Sequence, residues 1–213
     1  MAVTGVSRME KINERREFMS GAVACFVKTP GLSPIKTRLA KDIGKQRAEE
    51  VYLTMVENVQ DVLLNIDESI EPYWAVGEEA GVEKAMWKSL KAVYTGEGCL
   101  GERMYNIYTS LLKKHEYVIL IGSDSPNISP EHINCAAEIA KEGRFVFGPT
   151  FDGGFYLFGG NKPIPKDLWV SVEYSRNDTM ENFSRKIEPL GDVLALEALA
   201  DIDTVEDLAS LDV

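Results

Sequence analysis

Basic residues concentrate in the segment that follows the first apolar run of the chain, Gly21–Lys28. Positions 28 to 47 hold six basic residues and one acid, so this segment carries 6 − 1 = +5 in a chain whose formal net charge is −11. Pro30 and Gly31 begin a loop that leads into a predicted helix, and the N-terminus of a helix favours anions. We interpret the segment as a cradle for a di- or triphosphate, with a solvated basic face as the alternative. Its basic residues are Lys28, Lys36, Arg38, Lys41, Lys45 and Arg47.

Two aspartates stand where they could hold a metal ion. Asp124 comes three residues after the apolar run Tyr117–Ile121, in the sequence Gly-Ser-Asp-Ser-Pro. A carboxylate at a strand end can reach a hard divalent cation that also binds phosphate oxygens. The alternative is an aspartate that only caps the turn. Asp203 lies in an acidic C-terminal stretch, and we interpret it as a second metal carboxylate opposite Asp124, with a solvated acidic tail as the alternative.

Two glycine-bearing loops could approach a ligand closely. Asp152, Gly153 and Gly154 separate two predicted strands. They form either an ordinary hairpin turn or a backbone that contacts a ligand, with Asp152 facing the acceptor or the metal. The second loop, 96–99, precedes a predicted helix in which Arg103 could pair with a phosphate. A lone glycine-rich loop is a weak signal, so this second loop only adds a candidate.

Short apolar runs alternate with stretches of helical periodicity, and these elements must position the loops. Such alternation requires parallel strands joined by crossover helices. We therefore predict an α/β fold, a three-layer α/β/α sandwich with a mostly parallel central sheet. Ligands of such sheets bind outside the carboxyl ends of the strands, where the candidate residues stand. The predicted strands are 21–28, 72–76, 92–95, 117–121, 145–148, 155–158 and 193–195, and the predicted helices are 37–66 with a break at Gly44, 80–90, 100–114, 129–140, 179–187 and 204–211.

Composition and charge exclude several classes of protein. A net charge of −11 disfavours nucleic-acid binding, and no apolar run approaches the ~20 residues of a membrane span. Three widely spaced cysteines predict reduced thiols in the cytoplasm rather than a disulfide framework. Only two histidines are present, and neither stands in a strand-end loop, so Ser-His or Cys-His catalysis lacks a base. Residues 1–20 are charged and lack a signal peptide's apolar core, so we predict a helical N-terminal extension before a single domain, 21–213.

Five motifs in order carry a resemblance to a known family. They are KTPG…KTRLA, GCLGERM, VILIGSDSP, GPTFDGGFYL and DIDTVEDL, and together they span roughly residues 21–211. The chain resembles the radical-SAM/selenodomain-associated transferase family 1, which belongs to the nucleotide-diphospho-sugar transferases with the glycosyltransferase-A fold. It is similar also to phospholactate guanylyltransferase and molybdenum cofactor guanylyltransferases.

The resemblance implies a role for each group of candidate residues. Catalysis would fall to Lys36, Arg38 and Asp124. A divalent metal, Mg²⁺ or Mn²⁺, would be held by Asp124 and Asp203. The acceptor would lie against Asp152, Gly153 and Gly154. The nucleotide would contact Lys28, Pro30, Gly31, Lys36, Arg38, Gly101 and Arg103.

Three functions remain open at this point. The first is transfer of a sugar from a nucleotide sugar to a small-molecule acceptor. The second is nucleotidyl transfer, in which a substrate phosphate attacks the α-phosphorus of a nucleoside triphosphate and pyrophosphate leaves. Both reactions need the same electrostatic stabilisation. The third is a non-catalytic nucleotide-binding protein that keeps the fold. The base, the sugar, the acceptor and the oligomeric state are not predicted.

Overall fold

The computed structural model of the protein describes residues 21–202 and 204–209. Its strands are β1 Gly21–Val27, β2 Ile70–Val76, β3 Lys91–Tyr94, β4 Val118–Ile121, β5 Phe145–Pro149, β6 Phe155–Gly160 and β7 Val193–Ala195. They form one sheet in the order β3-β2-β1-β4-β6-β5-β7. Neighbouring strands are parallel, except that β6 runs antiparallel to both β4 and β5. The prediction of an α/β fold with a mostly parallel central sheet is confirmed.

Helices pack on both faces of this sheet. They are α1 Leu39–Ile43, α2 Lys45–Leu64, α3 Leu100–Leu112, α4 Pro130–Lys141, α5 Lys166–Val170, α6 Thr179–Ile187 and α7 Val205–Ala209. Gly44, with φ of 84°, separates α1 from α2, which confirms the predicted break within 37–66. Within the described ranges, no helix is both long and apolar enough to cross a membrane.

Strand β1 shows how the sheet separates two hydrophobic cores. Val23 and Cys25 belong to one cluster, whereas Ala22 and Ala24 belong to the other, because successive side chains of a strand point to opposite faces. The first cluster includes residues of α2 and α4, and the second includes residues of α3, α5 and α6. All four residues of β4 are buried, which explains its unbroken apolar sequence. The two cores establish the three-layer arrangement.

The prediction of a helix over residues 80–90 is wrong. This segment forms two short 3₁₀ turns, Glu79–Gly81 and Ala85–Trp87. Trp87 is 1% exposed, and its indole Nε1 donates a hydrogen bond to Thr29 Oγ1 at 3.1 Å. The segment therefore folds to seat one large aromatic side chain beside the loop after β1, and a regular helix is not formed. This long-range contact is invisible to local periodicity.

Two further differences concern single elements. Helix α5, which the sequence analysis did not predict, carries the fully buried Trp169. Strand β6 is antiparallel because it follows β5 through a short hairpin. The predicted extension, 1–20, and the end of the last predicted helix, 210–211, lie outside the described residues.

The topology brings the candidate loops to one edge of the sheet. Every strand except β6 runs in the same direction, so their carboxyl ends lie at the same edge of the sheet. These strands are β1, β2, β3, β4, β5 and β7. The loop between β5 and β6 lies at that edge as well, because β6 begins there. Each sequence motif that carries charge therefore follows or precedes a strand at the same edge.

Candidate active site

Loops at the carboxyl edge of the sheet enclose a cavity of about 820 Å³. Residues that follow β1, β2, β3, β4, β5 and β7 all contribute to its wall. The volume falls within the range of roughly 300–1,000 Å³ that is typical of small-molecule sites. The cavity therefore has the size of a small-molecule site.

Most of the predicted site residues lie in this wall, and they form both its positive and its negative parts. Pro30, Gly31, Gly101 and Gly153 are near neighbours in sequence of lining residues but are not themselves part of the lining. Asp203 lies outside the described residues. The predicted residues that line the cavity are Lys28, Lys36, Arg38, Arg103, Asp124, Asp152 and Gly154.

Lys36 and Asp124 form an ion pair in the cavity wall. Lys36 Nζ lies 3.1 Å from Asp124 Oδ2, and the side chains are 8% and 39% exposed. Among the described residues, two that are not glycine have positive φ, Lys36 at 41° and Ser175 at 61°, and both line the cavity. Backbone strain of this kind persists where the surrounding structure imposes it, and it is concentrated at functional sites.

Tyr52 from α2 holds the start of the loop after β1. Its hydroxyl donates to the carbonyl oxygen of Lys28 at 2.9 Å and accepts from the Lys28 backbone N–H at 2.8 Å. Burial raises the pKa of the Tyr52 hydroxyl, so the group stays neutral and can both donate and accept. The backbone of Lys28 is thus fixed, while its ammonium lies 3.5 Å from the carbonyl oxygen of Pro34.

Glu78 is a cavity residue that the sequence analysis missed. Its Oε2 accepts a hydrogen bond from the Thr29 backbone N–H at 2.8 Å. Its other oxygen, Oε1, is buried and has no hydrogen-bond partner among the described residues. Glu78 stands two residues beyond β2, so the strand-end rule that selected Asp124 could have selected it too.

Arg103 joins the ends of two strands. Its Nη1 donates to the carbonyl oxygen of Gly77 at 2.5 Å and to Thr95 Oγ1 at 3.1 Å, while Nε donates to the carbonyl oxygen of Gly98 at 3.0 Å. The guanidinium therefore braces the loops after β2 and β3, which form one side of the cavity. A phosphate contact would have to share this group with three protein oxygens.

Gly101 packs against the neighbouring helix α5. A Cβ atom at this position would lie 2.4 Å from the carbonyl oxygen of Trp169 and 2.9 Å from Tyr174 Cε2. The close approach of α3 and α5 explains why a glycine is needed at this position, and no contact with a ligand has to be invoked. The structure thus places Gly101 in the support of the cavity wall and not in the wall itself.

The segment 199–202 lies beside Asp124. The backbone N–H of Ile202 donates to the carbonyl oxygen of Asp124 at 3.0 Å, and Asp201 lines the cavity. Residues 21–202 and 204–209 contain no group of three or more His, Cys, Asp or Glu side chains that could hold a metal ion. Magnesium commonly uses only one or two protein carboxylates and completes its shell with phosphates and waters. Asp124 and the adjacent acidic segment fit that type of donor set.

Asp152 stands in the hairpin between β5 and β6. Its Oδ1 accepts hydrogen bonds from Thr150 Oγ1 at 2.6 Å and from the Gly154 backbone N–H at 3.0 Å. Gly153 has φ of 89°, and a Cβ on it would lie 2.0 Å from the carbonyl oxygen of Asn177. The glycines therefore serve the turn and its packing against 171–178, while Asp152 and Gly154 line the cavity.

A family model described as uncharacterized proteins conserved in bacteria (DUF2064) matches residues 67–176. Among curated proteins, none matches the chain. In the solved structures, a candidate nucleotide-diphospho-sugar transferase from Desulfovibrio desulfuricans G20 is 28% identical, with a TM-score of 0.79 over 91% of this chain and 87% of its own.

Two more distant structures share the fold. The 4-diphosphocytidyl-2C-methyl-D-erythritol synthase of Anaerococcus prevotii DSM 20548 has 14% identity and a TM-score of 0.60, covering 94% of this chain and 100% of its own. The glucosyl-3-phosphoglycerate synthase of Mycobacterium tuberculosis, solved with Mn²⁺, UDP and glucosyl-3-phosphoglycerate, has 9% identity and a TM-score of 0.55, covering 99% and 81%. At these identities the likeness establishes the fold alone.

Proposed function

The chain belongs to the DUF2064 family, and from that premise we propose that it is a metal-dependent nucleotide-diphospho-sugar transferase that moves a sugar from a nucleotide sugar to a small acceptor. One observation carries the proposal. A single cavity has cationic side chains and Asp124 in one part of its wall and the carboxylate of Asp152 in another. Such a cavity suits a substrate that is polyanionic at one end and uncharged at the other.

The donor's diphosphate would lie against the loop after β1. Lys28, Lys36 and Arg38 line the cavity there. Their positive charges would offset the negative charge that develops on the diphosphate as the bond to the sugar breaks. Tyr52 fixes the backbone of Lys28, and Asp124 fixes the ammonium of Lys36, so the loop is positioned before the donor binds.

The base would lie toward the loop after β2. The buried Oε1 of Glu78 lacks a partner among the described residues, and an unpartnered buried acceptor is unfavourable by about 1–3 kcal/mol. A nucleobase N–H is a donor of the right kind, once the side chain turns toward the cavity that it lines. Arg103 would act here as a brace for the wall.

A divalent cation would be held by Asp124 and the acidic segment that follows Leu199, with Asp203 as the predicted second carboxylate. When bound, such an ion supplies charge stabilisation to the leaving diphosphate. Support comes from the donor set described above and from the distant M. tuberculosis relative, whose structure contains Mn²⁺ and UDP.

The free thiols of Cys99 and Cys135 are exposed, which suits the reducing cytoplasm that we propose as the compartment.

Nucleotidyl transfer is the second candidate. It is favoured by the match to the 4-diphosphocytidyl-2C-methyl-D-erythritol synthase, all of whose chain is covered at a TM-score of 0.60. The similarity to guanylyltransferases noted in the sequence points the same way. Both reactions would use the same cations and the same metal, so the products distinguish them.

The test incubates the protein with Mg²⁺ or Mn²⁺ and a panel of nucleotide sugars and nucleoside triphosphates. Release of a nucleoside diphosphate from one nucleotide sugar supports the proposal. Release of pyrophosphate from one triphosphate supports the second candidate. A thermal-shift panel runs in parallel, because a ligand that binds only the folded state raises its apparent stability. No shift with any nucleotide and metal would refute both transferase assignments.

A further inference from the structure

The carboxylate of Asp152 is oriented by the turn that carries it. Both hydrogen bonds to this side chain, from Thr150 Oγ1 and the Gly154 N–H, end on Oδ1. Oδ2 accepts no hydrogen bond from any residue in the described ranges. Asp152 is exposed and lines the cavity. One oxygen is thus held by the protein and the other remains available to a ligand.

The turn itself is anchored to the rest of the protein. The backbone N–H of Met180, at the start of α6, donates to the carbonyl oxygen of Gly153 at 3.1 Å. Gly153 also packs against Asn177 so closely that a side chain at this position would clash. These contacts fix the position of Asp152 before any substrate arrives, which is the requirement for a group that must meet a reacting proton in one geometry.

One part of the cavity wall is formed by the hairpin that carries Asp152 and by the segment 174–179 that packs against it. Apart from Asp152 and Gly154, the lining residues of these two segments carry hydroxyl or aromatic side chains. The lining cations among the described residues come instead from the loop after β1 and from α3. Arg176, which follows the lining residue Ser175, is not part of the lining itself, and its Nε lies 3.3 Å from Glu173 Oε2 and 3.5 Å from Asp178 Oδ1. The neighbouring lining residues are Thr150, Phe155, Tyr156, Tyr174, Ser175 and Thr179.

From this geometry we propose that Asp152 is the general base of the transfer and that the acceptor presents an uncharged hydroxyl group. The inference rests on the proposed function and assigns the acceptor class to the same cavity. A phosphate nucleophile is already an anion at neutral pH, needs no base, and would meet the negative charge of Asp152. A hydroxyl must lose its proton as it attacks, and a fixed carboxylate can accept that proton.

The acceptor O–H proton passes to Oδ2 of Asp152 as the acceptor oxygen forms a bond to the anomeric carbon. The bond from that carbon to the diphosphate oxygen breaks, and its electron pair leaves with the nucleoside diphosphate. A carboxylate that acts as a base on the attacking oxygen, in a single displacement, gives inversion at the anomeric carbon. Inversion at the anomeric carbon is therefore an expected outcome that does not follow from a purely structural role of Asp152.

The experiment uses water as the probe acceptor, so that the natural acceptor need not be known. The rate of nucleoside diphosphate release from the nucleotide sugar that binds best is measured for the wild type, for Asp152→Asn and for the control Asp61→Asn, which changes an exposed aspartate on α2. We expect Asp152→Asn to reduce kcat by about 100-fold or more. The Asp152→Asn variant should melt at the same temperature as the wild type, and its affinity for the nucleoside diphosphate should stay within twofold of the wild-type value. Asp61→Asn should match the wild type in all of these measurements.

Two results would overturn the inference while leaving the proposed function in place. They are an Asp152→Asn rate within threefold of wild type and retention of the anomeric configuration in the first sugar released. Wild-type protein that binds nucleoside diphosphates but releases none from any nucleotide sugar would contradict the proposed sugar transfer itself. Asp152→Glu serves as a second variant, since it keeps the charge but displaces it by one methylene, and we expect a rate between those of the wild type and Asp152→Asn. Failure of the wild type to bind any nucleotide would instead refute the proposed function, so the two failures are distinguishable.

Discussion

The ammonium nitrogen of Lys36 lies 3.1 Å from Oδ2 of Asp124, and the lysine side chain is only 8% exposed. These residues are 88 positions apart in sequence, and they meet because β1 and β4 are adjacent parallel strands whose carboxyl ends share one edge. The backbone of Lys36 has φ of 41°, which is unfavourable for a residue with a side chain. The fold thus imposes the position of this cation before any ligand binds.

Replacement of Lys36 by methionine should weaken binding of nucleoside di- and triphosphates while leaving nucleosides almost unaffected. Methionine keeps most of the side-chain volume and removes the charge. A charge-assisted hydrogen bond contributes about 1.5–3 kcal/mol, so we expect an affinity loss of about 10- to 100-fold. Isothermal titration calorimetry with a matched nucleoside, diphosphate and triphosphate measures the difference.

The control for this experiment is Lys41→Met. Lys41 belongs to the same basic segment but is exposed and does not line the cavity. The Lys41→Met variant should bind the nucleoside, the diphosphate and the triphosphate as the wild type does. An equal loss for nucleosides and diphosphates in Lys36→Met, or an equal loss in both variants, would contradict a direct phosphate contact.

Asp124→Asn should remove the metal dependence of nucleotide binding and leave the fold intact. An amide keeps the shape of the side chain but provides a much weaker ligand for a hard divalent cation. The hydrogen bond from the Ile202 N–H ends on the backbone oxygen of Asp124 and is unchanged by the substitution. Titration of a nucleoside diphosphate with and without Mn²⁺ should show a metal effect only in the wild type. Unchanged metal and nucleotide affinities in the variant would show that Asp124 is not a metal carboxylate.

The sequence predicted those parts of the site that depend on strand ends. β4 is buried on both faces, so its sequence is a continuous apolar run that identifies Asp124 as a residue just beyond a central strand. The parallel topology then places the loop after β1 at the same edge. These predictions needed only local pattern and a general rule of α/β sheets.

The parts that were not predicted depend on contacts between distant segments. Burial of Trp87 beside Thr29 replaces the helix expected over 80–90. Glu78 is different, because the strand-end rule applies to it and was not extended to β2. Gly101 could not be assigned from sequence either, because its packing partner Trp169 lies 68 positions away and belongs to a helix too short to predict. Local periodicity contains no information about such contacts.

Gly101→Ala tests whether this glycine serves packing or ligand approach. In an open helix the change would stabilise by about 0.5–1 kcal/mol. Here the new methyl group would lie 2.4 Å from the Trp169 carbonyl oxygen, so we expect destabilisation of about 1–3 kcal/mol. The melting temperature should fall by about 2–4 °C per kcal/mol. Thermal unfolding followed by circular dichroism shows directly whether the substitution raises or lowers the melting temperature.

Ser110→Ala is the matched control for Gly101→Ala. Ser110 is an exposed residue on the same helix, and its hydroxyl donates only to the carbonyl oxygen of Ile107 at 3.0 Å. Its stability should stay within about 0.5 kcal/mol of wild type. If Gly101→Ala were as stable as this control yet bound nucleotide more weakly, Gly101 would have to contact the ligand after all.

Cys25 should resist alkylation under conditions that modify Cys99 and Cys135. Burial raises the pKa of the Cys25 thiol, and the negative charge of Asp124 raises it further, so the reactive thiolate is disfavoured. Its side chain is fully buried, with Sγ 3.6 Å from the carbonyl oxygen of Gly122. Iodoacetamide at pH 8 followed by peptide mapping should find the two exposed cysteines modified and Cys25 unmodified until denaturant is added. Asp124→Asn should preserve this protection, since burial is the larger cause and remains. Rapid modification of Cys25 in the native wild type would mean that the strand beneath Asp124 opens readily, which is incompatible with a preorganised Lys36–Asp124 pair.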